Sequence, residues 1–150
     1  MRAVIQRVSE ASVVVEYEKV ANIQQGLLVL LGIENEDTKE DADWLANKIS
    51  ALRIFSDSEG KMNNSITDVN GAVIVVSQFT LHAKTKKGNR PSYIKAARPE
   101  QAIPLYELFK EELSQLIGKK VPSGEFGADM KVSLTNDGPV TIIIDTKNKE

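Results

Sequence analysis

The chain has 150 residues, 41% of them hydrophobic and 27% charged, with a formal net charge of -2, no Cys and one His. At about 100–200 residues per domain this is a single domain, large enough to fold without a disulfide or a metal. The absence of cysteine excludes a disulfide framework, a zinc ribbon, a thiol nucleophile and a His/Cys/Cys zinc deaminase site, and one histidine cannot make a multi-histidine metal centre.

Residues 2–8 and 12–16 are short β-branched runs that predict two strands, with Glu18-Lys19 turning into a third near 20–24. Gly26 punctuates before Leu27–Ile33, an apolar run that suits a strand buried on both faces. Its longest unbroken stretch, Leu27–Leu31, is far below the ~18 residues of a membrane span. Met1–Arg7 reads as a strand with charges in it rather than a signal-peptide core, so the chain is expected to be soluble and cytoplasmic. Asn35–Thr38 is a polar break in which Thr38 can cap a helix, with Asp41 three residues on. Ala42, Leu45, Ile49 and Leu52 then mark one face of a helix of about 12–14 residues. Arg53–Phe55 predicts a short strand, and 56–65 a polar loop.

After the Asn70-Gly71 turn, Ala72–Val76 is an unbroken β-favouring run ending at Ser77–Leu81. His82–Arg98 has no periodicity. A second helix starts near Pro99-Glu100, carries Ala102, Leu105, Tyr106, Phe109, Leu113 and Leu116 on one side, and stops at Gly118. Met130, Val132 and Leu134 alternate with polar residues, and Asn136–Pro139 turns the chain into a last strand, Val140–Ile144. The fold class is therefore α+β, a β-rich and largely antiparallel sheet with two helices packed on it.

Charge is uneven along this frame. Lys84, Lys86, Lys87, Arg90, Lys95 and Arg98 lie between Ala83 and Pro99 with no acid among them, leaving 13 positive against 21 negative residues elsewhere. Such a cluster is either a solvated loop or a local anion site for RNA or phosphate. Just before it, Ser77-Gln78-Phe79-Thr80 places two hydroxyls, an amide and backbone N–H groups at a strand end, where they could bind a carbonyl and stabilise an oxyanion. The same residues could simply satisfy strand-end backbone groups. If the stretch stays extended, Thr80 and His82 share a face and could pair as nucleophile and base, although no carboxylate is placed to orient the imidazole. The acids at 34–43 are explained by a helix start. No EF-hand loop, Walker A or Gly-x-Gly-x-x-Gly occurs, and no metal-ligand spacing is found, so neither metal nor cofactor is expected.

Four segments together resemble the D-aminoacyl-tRNA deacylase family over residues 1 to about 145. They are Met1–Val8, Ser77–Leu81, Gly88–Tyr93 and Asn136-Asp137-Gly138-Pro139-Val140-Thr141. The resemblance implies a homodimer of barrel-like α+β subunits that hydrolyses the ester of a D-amino acid on the 3′ end of tRNA, and of glycine misattached to alanine tRNA. It implies that Ser77, Gln78, Phe79 and Thr80 bind the terminal adenosine and aminoacyl group, while Gly138 and Pro139, joined by a cis peptide, enter the partner's pocket. Phe126 and Met130 become candidates for the adenine pocket, and Arg7 for holding the Gly-Pro turn. Lys84, Lys86, Lys87 and Arg90 become candidates for tRNA phosphates. No cofactor, metal, membrane or DNA partner is implied. A non-catalytic tRNA-binding module and a small-molecule hydrolase are the rival classes.

Overall fold

The computed structural model describes residues 1–150 and joins the first two predicted strands into one, β1 (Arg2–Val15). Along one edge of β1 lie β2 (Glu18–Ile23) and β3 (Gly26–Gly32), end to end and in one antiparallel register from Val13↔Ala21 through Val8↔Gly26 to Arg2↔Gly32. The predicted turn at Glu18-Lys19 falls two residues earlier. Glu16 and Tyr17 make it, both in the left-handed region at φ 48° and 67°. That geometry matches the right-handed twist of a two-residue hairpin, and no Gly or Asn signals it in the sequence.

Strand β6 (Ala72–Ser77) pairs with β3 in parallel, so the sheet is mixed. The crossover between them holds helix α1 (Lys39–Ala51) and a small hairpin of β4 (Phe55–Ser56) and β5 (Met62–Asn64). The predicted polar loop 56–65 thus contains a strand, short and without an apolar face to announce it. Helix α1 starts as expected, with the Thr38 N–H donating to Asp41 Oδ2 at 2.9 Å. Helix α2 (Pro99–Ile117) buries Ala102, Tyr106, Phe109, Leu113 and Ile117 and ends at Gly118 in the left-handed conformation. The last turn therefore points Ile117 inward and leaves Leu116 exposed, one residue off the predicted stripe.

The five-stranded sheet, curled into a half-barrel, has apolar matter on both faces. Leu27, Val29, Leu31, Val73 and Val75 join the core under the two helices, while Leu28, Ile74 and Val76 join a second cluster with Val8, Val13 and Ile23 inside the curl. This double burial, at roughly 1.5–3 kcal/mol per large side chain, accounts for the unbroken apolar runs of β3 and β6. No helix is long and apolar enough to cross a membrane.

The last strand, β7 (Met130–Asp145), runs along the free edge of β1 for its whole length. The Asn136–Pro139 segment does not reverse the chain, as a turn between two strands would. Both halves of β7 pair with β1 in the same direction, Val15↔Met130 to Val8↔Asn136 and then Gln6↔Thr141 to Arg2↔Asp145. Residues 137–140 are extra residues opposite Arg7, pushed out of the ladder as an excursion.

Candidate active site

The C-terminal end of β6 opens into a cavity of about 320 Å³. Its floor is Leu31, Ile33, Val76 and Val132, and its rim includes Ser77, Gln78, Phe79, Phe126 and Met130. The ladder of β6 ends where the Gln78 N–H donates to Leu31 O at 2.8 Å. Beyond it Phe79–His82 winds into a single 3₁₀ turn. Two donors are freed by this change of conformation: the backbone N–H groups of Phe79 and Thr80 make no hydrogen bond within the chain. Such orphan groups at the start of a helical turn are available to a ligand oxygen.

The opposite wall comes from far along the sequence. Residues 122–124 zip onto β6, with the Val75 N–H donating to Pro122 O and the Gly124 N–H to Val75 O, both at 3.2 Å. A Cβ at Gly124 would lie 2.3 Å from Met130 Sδ, so a side chain there would displace the Met130 thioether from its place on the cavity rim. Phe126 packs edge-on against Tyr106, whose hydroxyl donates to Val75 O at 3.2 Å and whose pKa burial pushes up to about 12. The Phe126 ring is thus held by a buried, neutral phenol. The structure brings together Ser77, Gln78, Phe79, Phe126 and Met130.

It does not bring Thr80 to the cavity lining. The Thr80 hydroxyl accepts a hydrogen bond from Gln78 Nε2. Nor does it pair Thr80 with His82, because the segment is coiled rather than extended. His82 is buried, its Nε2 has no partner, and its ring packs beside Gly32. One further residue supports the turn unannounced: Arg2 Nη1 donates to Leu81 O at 2.7 Å while Nε and Nη2 hold Asp145 Oδ2, at 3.0 and 2.8 Å. A charge at the start of a strand was its only sign in the sequence.

Gly138 and Pro139 stand apart from this cavity in the single chain, exposed at the tip of the excursion, with a cis peptide between them. Arg7 grips the excursion at its base. Its Nε donates to Asp137 O at 2.8 Å and its Nη1 to Ile54 O at 2.6 Å. Asn136 closes the neck, accepting the Val140 N–H on Oδ1 at 2.8 Å and donating from Nδ2 to Thr141 Oγ1 at 3.2 Å. Its side-chain amide replaces the missing rung of the ladder. Gly138, at φ 149°, has no room for a Cβ, which would lie 2.7 Å from Val140 N. The Asn136 side chain gave no separate signal in the sequence, since Asn is equally an ordinary turn residue.

Lys84, Lys86, Lys87 and Arg90 are all exposed, and none of the six cations of the 84–98 segment forms an ion pair. The loop is nevertheless built. Lys84 and Ser92 exchange backbone hydrogen bonds at 2.8 and 3.0 Å, and Asn35 and Ile33 anchor Lys95 and Ala97 at 3.0 and 2.9 Å.

A family model described as D-Tyr-tRNA(Tyr) deacylase matches residues 4–145. The chain is 65% identical to a D-aminoacyl-tRNA deacylase of Flavobacterium johnsoniae and 63% identical to one of Bacteroides fragilis, over all 150 residues and the full length of each. Among solved structures it is similar to a c-Myc DNA unwinding element binding protein, with TM-score 0.90 and 42% identity over 97% of this chain and 98% of that one. A probable eukaryotic D-amino acid tRNA deacylase shares the fold, with TM-score 0.82 and 17% identity over 95% and 97%.

Proposed function

The chain belongs to the D-Tyr-tRNA(Tyr) deacylase family, and from that premise we propose that it is a hydrolase cleaving the ester between a D-amino acid and the 3′ end of tRNA. The observation that carries the reading is the cavity at the end of β6, where the unpartnered N–H groups of Phe79 and Thr80 adjoin a rim of Ser77, Gln78, Phe126 and Met130. In this reading the terminal adenosine lies between Phe126 and Met130, and the ester carbonyl faces the two N–H groups. Water adds to the carbonyl carbon and the oxyanion is held by those donors. The bond to the ribose 3′-oxygen then breaks, that oxygen taking the proton lost by water. The free 2′-hydroxyl beside the ester assists the water, which restricts the reading to RNA and leaves DNA outside it. Thr80, occupied by Gln78, positions rather than attacks. Thr80→Ala then slows turnover without abolishing it, and an aminoacyl-Thr80 adduct caught by mass spectrometry would refute this assignment.

A second copy of the chain completes the site. Gly138 and Pro139 do not line the cavity of their own chain, yet Arg7 and Asn136 hold them out from the edge strand. Presented to a partner, they form a backbone wall beside Ser77–Thr80 where only a Cα hydrogen fits. An L side chain is excluded, and D-residues are admitted. Glycine is admitted for the same reason, so glycine misattached to alanine tRNA is also a substrate. Lys84, Lys86, Lys87 and Arg90 meet the acceptor-stem phosphates. Incubating the purified protein with D-tyrosyl-tRNA, L-tyrosyl-tRNA and D-tyrosyl ethyl ester tests the reading. Release of D-tyrosine from tRNA alone supports it. Binding without release marks a tRNA-binding module, and equal release from the ethyl ester marks a small-molecule hydrolase.

A further inference from the structure

We infer that Tyr93 is a stacking platform for the nucleobase that precedes the terminal adenosine, a subsite outside the cavity; this rests on the proposed reading of that cavity as the place of the adenosine and its ester. Tyr93 sits in the acid-free segment that carries Lys84, Arg90, Lys95 and Arg98. Its ring meets that of Phe79 edge to face, with centroids 5.0 Å apart and an angle of 76°. Phe79 lines the cavity and Tyr93 does not, so Tyr93 is the aromatic reached from the cavity across Phe79. In the single chain 38% of Tyr93, 54% of Phe79 and 73% of the adjacent Ile94 are exposed.

This surface is rigid rather than loose. The Ala96 N–H donates to Tyr93 O at 3.0 Å, Asn35 Nδ2 donates to Ile94 O at 3.1 Å, and the backbones of Lys84 and Ser92, the residue before Tyr93, pair across the loop. A fixed, exposed aromatic among unpaired cations is the arrangement by which proteins bind single-stranded nucleic acid. The base stacks on the ring and the phosphates lie among the cations. The 3′ end of tRNA is single-stranded, so a base leaving the cavity past Phe79 reaches Tyr93 next.

The test compares two minimal substrates, adenosine carrying D-tyrosine at its 3′-oxygen and the cytidylyl-adenosine dinucleotide carrying the same ester. With the unaltered protein the added cytidine lowers KM about tenfold. Tyr93→Phe keeps that gain. Tyr93→Leu, which still packs against Phe79 but offers no ring, and Tyr93→Ala both lose it, while KM for the adenosine ester stays within about twofold. If either variant weakens both substrates equally, Tyr93 merely supports Phe79 and the inference is overturned. The same holds if neither variant changes the dinucleotide's KM. Should the unaltered protein release D-tyrosine from neither compound nor from D-tyrosyl-tRNA, the reading of the cavity fails and this inference falls with it. Any failure confined to the dinucleotide leaves that reading standing.

Discussion

The cavity at the end of β6 and the excursion on β7 treat their hydrogen bonds in opposite ways. At the cavity, regular pairing stops and the donors of Phe79 and Thr80 are left without partners. At the excursion, four residues leave the ladder and almost everything around them is tied back: Asp137 O to Arg7, the Val140 N–H to Asn136, and Asn136 Nδ2 to Thr141. The first arrangement suits a group that must receive a changing charge, because a donor already engaged cannot follow the reaction. The second suits a group that must not move. Catalysis and selection would then lie in parts of the fold with different tolerance to change.

The harshest way to break that division is Gly138→Ala. The new Cβ would lie 2.7 Å from Val140 N and 2.8 Å from Val140 Cγ2, both held near the Asn136 rung, so the tip must shift. A displacement of about 1 Å at a positioning element costs on the order of 100-fold in rate. We expect kcat/KM for D-tyrosyl-tRNA to fall by about that factor, with loss of discrimination against the L-ester, and the strained backbone, at about 1–3 kcal/mol, to lower the melting temperature by several degrees without unfolding the protein. Retained selectivity would show that the tip does not select. A milder effect comes from Lys86→Ala, Lys87→Ala and Arg90→Ala together. Removing three phosphate contacts should weaken tRNA binding by about tenfold or more at low salt and flatten its dependence on log[salt] by about 2–3. The rate at saturating tRNA should hold. A collapse of kcat with binding intact would move these residues into the reaction centre.

Smaller again is the pair Asn136→Ala and Asn136→Asp. The alanine variant leaves the Val140 N–H without its acceptor, at about 1 kcal/mol, and frees the neck of the excursion. The aspartate variant keeps that acceptor and loses both donations from Nδ2, to Thr141 Oγ1 at 3.2 Å and to Val140 O at 3.4 Å. Selectivity measured as the ratio of D- to L-ester hydrolysis should fall several-fold for alanine and less for aspartate. Unchanged values for both would leave the hold on the excursion to Arg7, and equal falls would assign it to the Nδ2 donations.

The legible parts of the molecule were those decided by near neighbours. Helix α1 is announced by Thr38 and Asp41 three residues apart, and β3 and β6 by apolar runs that only a doubly buried strand needs. What escaped was decided at long range. Asn136-Asp137-Gly138-Pro139 has the same local chemistry whether the chain reverses or bulges outward, and pairing with residues about 130 positions away makes it a bulge. The same partner strand joins residues 2–8 and 12–16 into β1. At the site, Ser77, Gln78 and Phe79 could be read as the polar end of an apolar strand. Phe126 and Met130 came only with the family resemblance, since their place depends on residues 122–124 zipping onto β6. The Thr80 and His82 pairing failed because alternation in sequence implies a shared face only while the backbone stays extended.

The smallest effect belongs to a site remote from both regions, and it sharpens the comparison by separating stability from selection. Lys147 Nζ lies 2.8 Å from Asp41 Oδ2 and 3.9 Å from Asp37 Oδ1, and Asp37 in turn is ion-paired with the buried amine of Met1. Partial burial pushes the Asp41 carboxyl up, but hydrogen bonds from Lys147, Thr146 and the Thr38 N–H outweigh it and hold it well below the usual carboxylate range. Lys147 is raised, chiefly by its hydrogen bond to Asp41. The signs give a window. A depressed Asp41 contributes its full stability above the ordinary carboxylate pKa of about 4 and loses it as pH falls further. A raised Lys147 contributes fully below the ordinary lysine pKa of about 10.4 and loses it as pH climbs above. The pair is thus intact across neutral pH, and with the Lys147 side chain 37% exposed its value is screened to about 0.5–1 kcal/mol. Lys147→Met should lower the melting temperature at pH 7 by a few degrees and reduce the drop between pH 5 and pH 3, while the D- to L-ester ratio and the tRNA salt dependence stay at their original values. A change in that ratio would mean that the end of β7 at Asp145 transmits strain to the excursion, five residues before it, and the division between the tied and the open regions would no longer hold.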